Sequence, residues 1–221
     1  GSVFRGPAPM SIGSVVDITV LLTTFATLIV ILDPMGLMPV FLGLTSKLSR
    51  TAQRKAAFQA SLVSFGVILT FAFLGQQILR ALHISMESLK LSGGVLLFLV
   101  AMELLTSSDM EQPDTGDDAV NVALVPLGIP LLAGPGAIVA VMVSMAQAHT
   151  VGSIVGVVGA VVATHVVIWL SMRFALELSR FLGTGGIMLL TKISGVLLAA
   201  IATELVMGGV FDFIKNAGII H

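Results

Sequence analysis

Six apolar stretches long enough to cross a lipid bilayer run through this sequence, at residues 15–44, 57–82, 87–106, 120–147, 151–180 and 187–214. A spanning helix needs about 20 mainly apolar residues. The hydrocarbon core offers no water to unpaired backbone groups, so each stretch is expected to be helical. None of them shows the strict alternation of a membrane barrel strand. Charged residues make up only 10% of the chain, too few to clothe a water-facing surface. The net charge of −1 gives no basic face for nucleic acid. The absence of cysteine removes disulfides, thiolate metal sites and cysteine nucleophiles. The chain therefore reads as an all-α membrane protein with six transmembrane helices.

The first stretch contains ILDPMGLMPVF, residues 31–41, where a buried helix would hold no such residues. Pro34 has no N–H for the Val30 carbonyl, and Pro39 does the same to Met35. Each proline inside a helix costs about 3 kcal/mol. A charged Asp33 at the bilayer centre adds about 2.5–3.5 kcal/mol. Such backbone is tolerated at membrane depth only where it is buried in protein or lines a wet cavity. The sequence thus predicts a broken first helix.

The halves of the chain repeat. KLSGGVLLFLVAMEL (90–104) aligns with KISGVLLAAIATEL (192–205) after a one-residue insertion, at an offset of 101 that pairs Glu103 with Glu204. The same offset places Asp33-Pro34 on Gly134-Pro135, inside PLGIPLLAGPGAIVAV (126–141). Each half holds three spans, so the second is expected to be inverted in the membrane, with helices 1 and 4 both broken near the midplane. The expected division is a first repeat at 10–106, an acidic cytoplasmic linker at 107–119 and a second, inverted repeat at 120–221. Residues 1–9 read as an added or disordered extension ahead of Met10. Seven lysines and arginines (Lys47, Arg50, Arg54, Lys55, Arg173, Arg180, Lys192) fall on one side, against Arg5, Arg80, Lys90 and Lys215 on the other. The positive-inside rule then puts the first loop in the cytoplasm and both termini outside the inner membrane.

At each break the proline suits the first position of a new half-helix, with Asp33 or Gly134 as its N-cap. The amides of Met35 and Gly36, and of Gly136 and Ala137, are then free to meet an anion such as a carboxylate, with the positive helix end behind them. Asp33 as a plain cap, with the prolines as packing kinks, is the structural alternative.

At these residues the sequence resembles the MarC family, also described as the small neutral amino acid transporter or SnatA family. The family's (D/N)-P-x-G-x-x-P-x-F-x-x-L-T is filled by DPMGLMPVFLGLT (33–45), and its second motif by PLGIPLLAGPGAI (126–138). The resemblance implies a secondary transporter of glycine, alanine and similar amino acids, coupled to an ion, H+ by expectation, and needing no cofactor. The candidate substrate-binding residues, from the two expected breaks, are Asp33, Pro34, Met35 and Gly36 with Gly134, Pro135, Gly136 and Ala137. Glu204 departs from the family, which usually holds an uncharged amide there.

Four further polar residues lie within the spans: Glu103, Glu204, Thr164 and His165. Intramembrane acids tend to face the bundle interior and relay protons, and a midplane histidine titrates near neutral pH. Each also has a structural alternative: an interfacial position for Glu103, and a hydrogen bond within the bundle for Glu204 and His165. Thr19, Thr23 and Thr27 form a stripe leading to the break, lining an access path or bonding back to their own helix. No metal site is expected, because the other histidines fall at segment ends. An uncoupled channel or an exporter of another small solute is the competing function. An enzyme is disfavoured, since no HExxH or GxSxG motif occurs.

Overall fold

The structure, a computed structural model, describes residues 16–45, 47–106 and 133–217. The extension at 1–9, the linker at 107–119 and the first part of the fourth stretch lie outside the described residues. Among the described residues seven helices follow in order: α1 (Ile18–Leu32), α2 (Pro34–Leu44), α3 (Arg50–Ala81), α4 (Met86–Thr106), α5 (Pro135–Gln147), α6 (Val151–Arg173) and α7 (Ala175–Asn216). Five runs among the described residues are long and apolar enough to cross a membrane: Ile18–Met38, which includes the interruption, and α3, α4, α6 and α7. Helix α5 is a shorter apolar helix. The molecule is an all-α multi-pass membrane protein.

Short polar residues set most helix starts. The Asp17 carboxylate accepts from the Val20 amide at 3.2 Å, and the Ser49 hydroxyl from Ala52 at 3.3 Å. Thr150 and Ser153 form a reciprocal capping box at α6. Helix α3 starts at Arg50, ahead of the predicted residue 57, because its first turns are polar and escape a hydropathy reading. At about 1.5 Å per residue its 32 residues exceed the roughly 30 Å hydrocarbon core, so part of the helix projects beyond it.

The fifth stretch ends at Arg173 rather than 180, and residues 175–180 open α7 instead of ending the fifth span. Apolar residues run straight through the turn at Phe174, so hydropathy alone carries no mark of it. Inside α7, Gly183 adopts φ 66° and ψ 169°, which divides a short leading piece from the long helix. A side chain there would meet no neighbour, so the dihedrals themselves select glycine.

The outer surface is apolar: Leu22, Leu62, Leu99 and Val196 are all more than half exposed, as suits a lipid contact. The main core gathers Leu28, Met38, Phe41, Ile68, Val141 and Ile168 between the helices. A second core lies between α4 and α7 and consists of Leu97, Ala101, Leu198 and Ala202. These are two pairs at the sequence offset of 101. The two helices run antiparallel: Gly94 faces Val206 near one end, and Gly195 faces Leu105 near the other. Those contacts exchange under the same offset. Lysines pin both ends, Lys90 to the Asp212 carboxylate at 2.7 Å, and Lys192 to the Leu104 and Leu105 carbonyls at 3.0 and 2.8 Å.

Candidate functional site

The interruption between α1 and α2 falls on one residue. Asp33 has φ 38° and ψ 74°, its amide donates to the Ile29 carbonyl at 3.0 Å, and it closes α1. Its carbonyl accepts from Leu37 at 2.9 Å and so opens α2, with Pro34 at the first helical position. A left-handed residue in the middle of an apolar run costs about 1–3 kcal/mol. Asp tolerates that region better than most residues.

The Asp33 side chain is 6% exposed, and neither carboxylate oxygen makes a hydrogen bond of good geometry. The amides of Met35 and Gly36 and the hydroxyl of Ser194 are its nearest donors. They surround the carboxylate without satisfying it. Thr191, one turn before Ser194 on α7, is also 6% exposed and its hydroxyl is equally unpartnered. Both side chains converge on Gly36: a Cβ there would collide with Asp33 Oδ2 and lie 3.5 Å from Thr191 Oγ1. Buried polar groups without partners are rare and costly. Here two such atoms, Asp33 Oδ2 and Thr191 Oγ1, come from different elements to one spot beside Gly36.

The second helix start lies close by. Gly134 is the N-cap of α5 in extended conformation, with Pro135 at the first position and no side-chain cap. The amides of Gly136 and Ala137 are at positions where no intrahelical carbonyl is available. Both residues are buried. A Cβ on Gly136 would strike Leu97 of α4 and lie 3.5 Å from Ile31, just before the break in the first run. The clearance at the two glycines is thus already used, by a carboxylate at Gly36 and by a leucine at Gly136.

A model of MarC family integral membrane proteins matches residues 18–214. A UPF0056 membrane protein of Methanocaldococcus jannaschii is 30% identical over 88% of this chain and 97% of its own. The UPF0056 membrane protein YhcE of Escherichia coli is 32% identical over 88% of this chain and 93% of its own. The chain belongs to the MarC family. That is a family of integral membrane proteins rather than of enzymes. No solved structure matches the chain.

The remaining polar candidates of this MarC chain lie elsewhere. His165 is buried between α6 and α3, where Nδ1 is 2.8 Å from the Val161 carbonyl and Nε2 is 3.0 Å from Ser64 Oγ. A carbonyl only accepts, so Nδ1 carries the proton, and in the neutral ring Nε2 accepts from the Ser64 hydroxyl. Phe65 stands edge-on to the ring at 5.4 Å between centres. The Thr164 hydroxyl donates to its own helix, to the Ala160 carbonyl at 2.8 Å. Glu103 and Glu204 sit on exposed faces of α4 and α7, whereas the sequence pattern led us to expect Glu204 to face the bundle interior. The hydrogen bonds of Thr164 and His165 go to Ala160, Val161 and Ser64 and not to Asp33. Thr19 and Thr23 are likewise exposed, and Thr27 donates to the Thr23 carbonyl at 2.9 Å.

Among the described residues no group of three or more His, Asp or Glu is placed to hold a metal. Sequence reasoning missed Thr191 and Ser194. A Thr-x-x-Ser spacing on a lipid-crossing helix was the available signal, and it is weak because such hydroxyls usually bond back to the helix.

Proposed function

We propose that this chain is a secondary transporter of small neutral amino acids, glycine and alanine, across the cytoplasmic membrane, with H+ as the coupling ion. The observation that carries the reading is the buried, unsatisfied Asp33 carboxylate at the interruption, facing the Thr191 and Ser194 hydroxyls. An amino acid's ammonium has three N–H donors and a positive charge, which this group of acceptors complements. Its carboxylate needs separate donors. The amides of Met35 and Gly36 already lie against Asp33, so the uncapped start of α5 at Gly136 and Ala137 is the better seat. The two buried glycines at the helix starts, where an added methyl already collides with Asp33 or Leu97, leave no place for a large substrate side chain.

The architecture we propose is two inverted three-helix repeats, 10–106 and 120–221, joined by a cytoplasmic linker, with both termini outside. The antiparallel α4–α7 pair supports it, since its core residues and its glycine contacts exchange at the offset of the sequence repeat. In such an arrangement the site lies at the repeat interface, and rocking of one repeat against the other alternates its access.

The deciding experiment is counterflow of labelled glycine into proteoliposomes preloaded with unlabelled glycine. Saturable exchange is expected, competed by alanine and not by lysine or leucine, and accelerated as net uptake by an inward proton gradient. Glycine flux that neither saturates nor answers to the gradient would make the protein a channel instead.

A further inference from the structure

Three arginines gather where the start of α3 meets the end of α6, at a cavity that shares no residue with the proposed amino-acid site. Arg50 and Arg54 come from the first turns of α3, and Arg173 from the last residue of α6. With Gln53 they line a cavity of about 10 Å³, whose apolar wall is Phe41, Leu42, Met172 and Leu176. That is room for one oxygen-sized atom.

The charge there is out of balance. The start of a helix favours acids, yet the first turn of α3 holds none and two arginines open it. Glu177 is the acidic neighbour, 3.1 Å from Arg50 and within electrostatic reach of Arg54. Among the described residues, one carboxylate against three guanidiniums and a helix N-terminus leaves a site of net positive charge. Arg173 is held in place by its rings, 5.4 Å from the centre of Trp169 and 5.8 Å from Phe174. Arginine, with its planar fork of donors, suits phosphate oxygens better than lysine does. Beside the site the surface is apolar, with Phe58, Leu62, Leu170 and Phe174 exposed.

We propose that this pocket seats the phosphate of an anionic phospholipid. One phosphate oxygen enters the cavity, the guanidiniums surround the others, and the acyl chains run along the exposed apolar faces of α3 and α6. A basic pocket between helices at the membrane surface has the chemistry for this. A free inorganic phosphate would satisfy the arginines equally but would leave the apolar wall and flanks unused.

The test is thermal stability of the detergent-purified protein titrated with phosphatidylglycerol, phosphatidylcholine or inorganic phosphate. It is run on the wild type, Arg54→Gln, Arg173→Gln and, as a control at the other end of α3, Arg80→Gln. Phosphatidylglycerol is expected to raise the midpoint saturably in the wild type and in Arg80→Gln, with about fivefold weaker apparent affinity in each of the other variants. Phosphatidylcholine and phosphate are expected to do little. The proposal is overturned if phosphatidylcholine matches phosphatidylglycerol, or if all three variants respond alike. It is also overturned as a lipid site if inorganic phosphate alone gives the full saturable shift. A single cooperative melting transition in Arg54→Gln and Arg173→Gln, at a midpoint near that of Arg80→Gln without lipid, shows that the variants are folded.

Discussion

Ser64 Oγ lies 3.0 Å from His165 Nε2, and the two residues are 101 positions apart, the offset at which the halves of the sequence align. A residue in contact with its own counterpart marks the place about which two repeats are related. Leu97 and Leu198, and Ala101 and Ala202, are further pairs at that offset, and all four share the core between α4 and α7. The Ser64–His165 pair ties α3 to α6 with a buried hydrogen bond.

That bond makes a stability prediction. Ser64→Ala leaves the His165 ring nitrogen buried and unpaired, a cost of about 1–3 kcal/mol. Replacing both partners with apolar residues, Ser64→Ala with His165→Leu, is expected to recover a good part of the loss. A double-mutant cycle on unfolding midpoints measures the coupling. Glycine counterflow by the single mutant below its midpoint is expected to keep its pH profile, since no described contact joins His165 to Asp33. A changed profile would make the histidine part of the coupling machinery.

Asp33→Asn separates charge from shape. Asparagine tolerates the left-handed backbone as aspartate does, so the interruption survives. An amide does not balance an ammonium. Glycine at a hundred times its Kd stabilises a folded binder by about 2.7 kcal/mol, and the variant is expected to show nearly none of this. Thermal titration with glycine, alanine, leucine and lysine checks it. An undiminished glycine shift in the variant would move the ammonium site away from Asp33.

Much of this could be read along the chain. Asp33-Pro34 and Gly134-Pro135 announce their helix starts because proline excludes a donor and the preceding residue must leave the helix. The acceptors opposite Asp33 were not legible, because Thr191 and Ser194 come from the far end of the sequence and only packing of α2 on α7 brings them near. The outward placement of Glu204 was hidden for a related reason: hydropathy gives depth but not the face of the helix. The junction at Phe174 escaped because nothing in an apolar run distinguishes a turn from a helix.

Thr191→Val has two expected effects of opposite sign. The hydroxyl is buried and unpartnered, so an isosteric apolar side chain is expected to raise the stability of the empty protein by about 1 kcal/mol. The same change removes an acceptor from the ammonium, and glycine affinity is expected to fall about tenfold, worth roughly 1.4 kcal/mol. Unfolding midpoints with and without glycine read both at once. If stability and affinity fall together, Thr191 is a packing residue and not a ligand contact.

The two glycines of the site give a sharper contrast. An added methyl at Gly36 meets the end of the Asp33 side chain, which can swing aside, so Gly36→Ala is expected to fold normally and lose glycine binding. At Gly136 the same methyl meets Leu97, a side chain 3% exposed in the core between α4 and α7. Overpacking there costs about 1–3 kcal/mol. Shortening the obstacle relieves it, so Gly136→Ala combined with Leu97→Val is expected to be more stable than the sum of the two single changes by about 1 kcal/mol. Additive losses would mean that α4 does not lie against the start of α5, and the seat proposed for the substrate carboxylate would lose its wall.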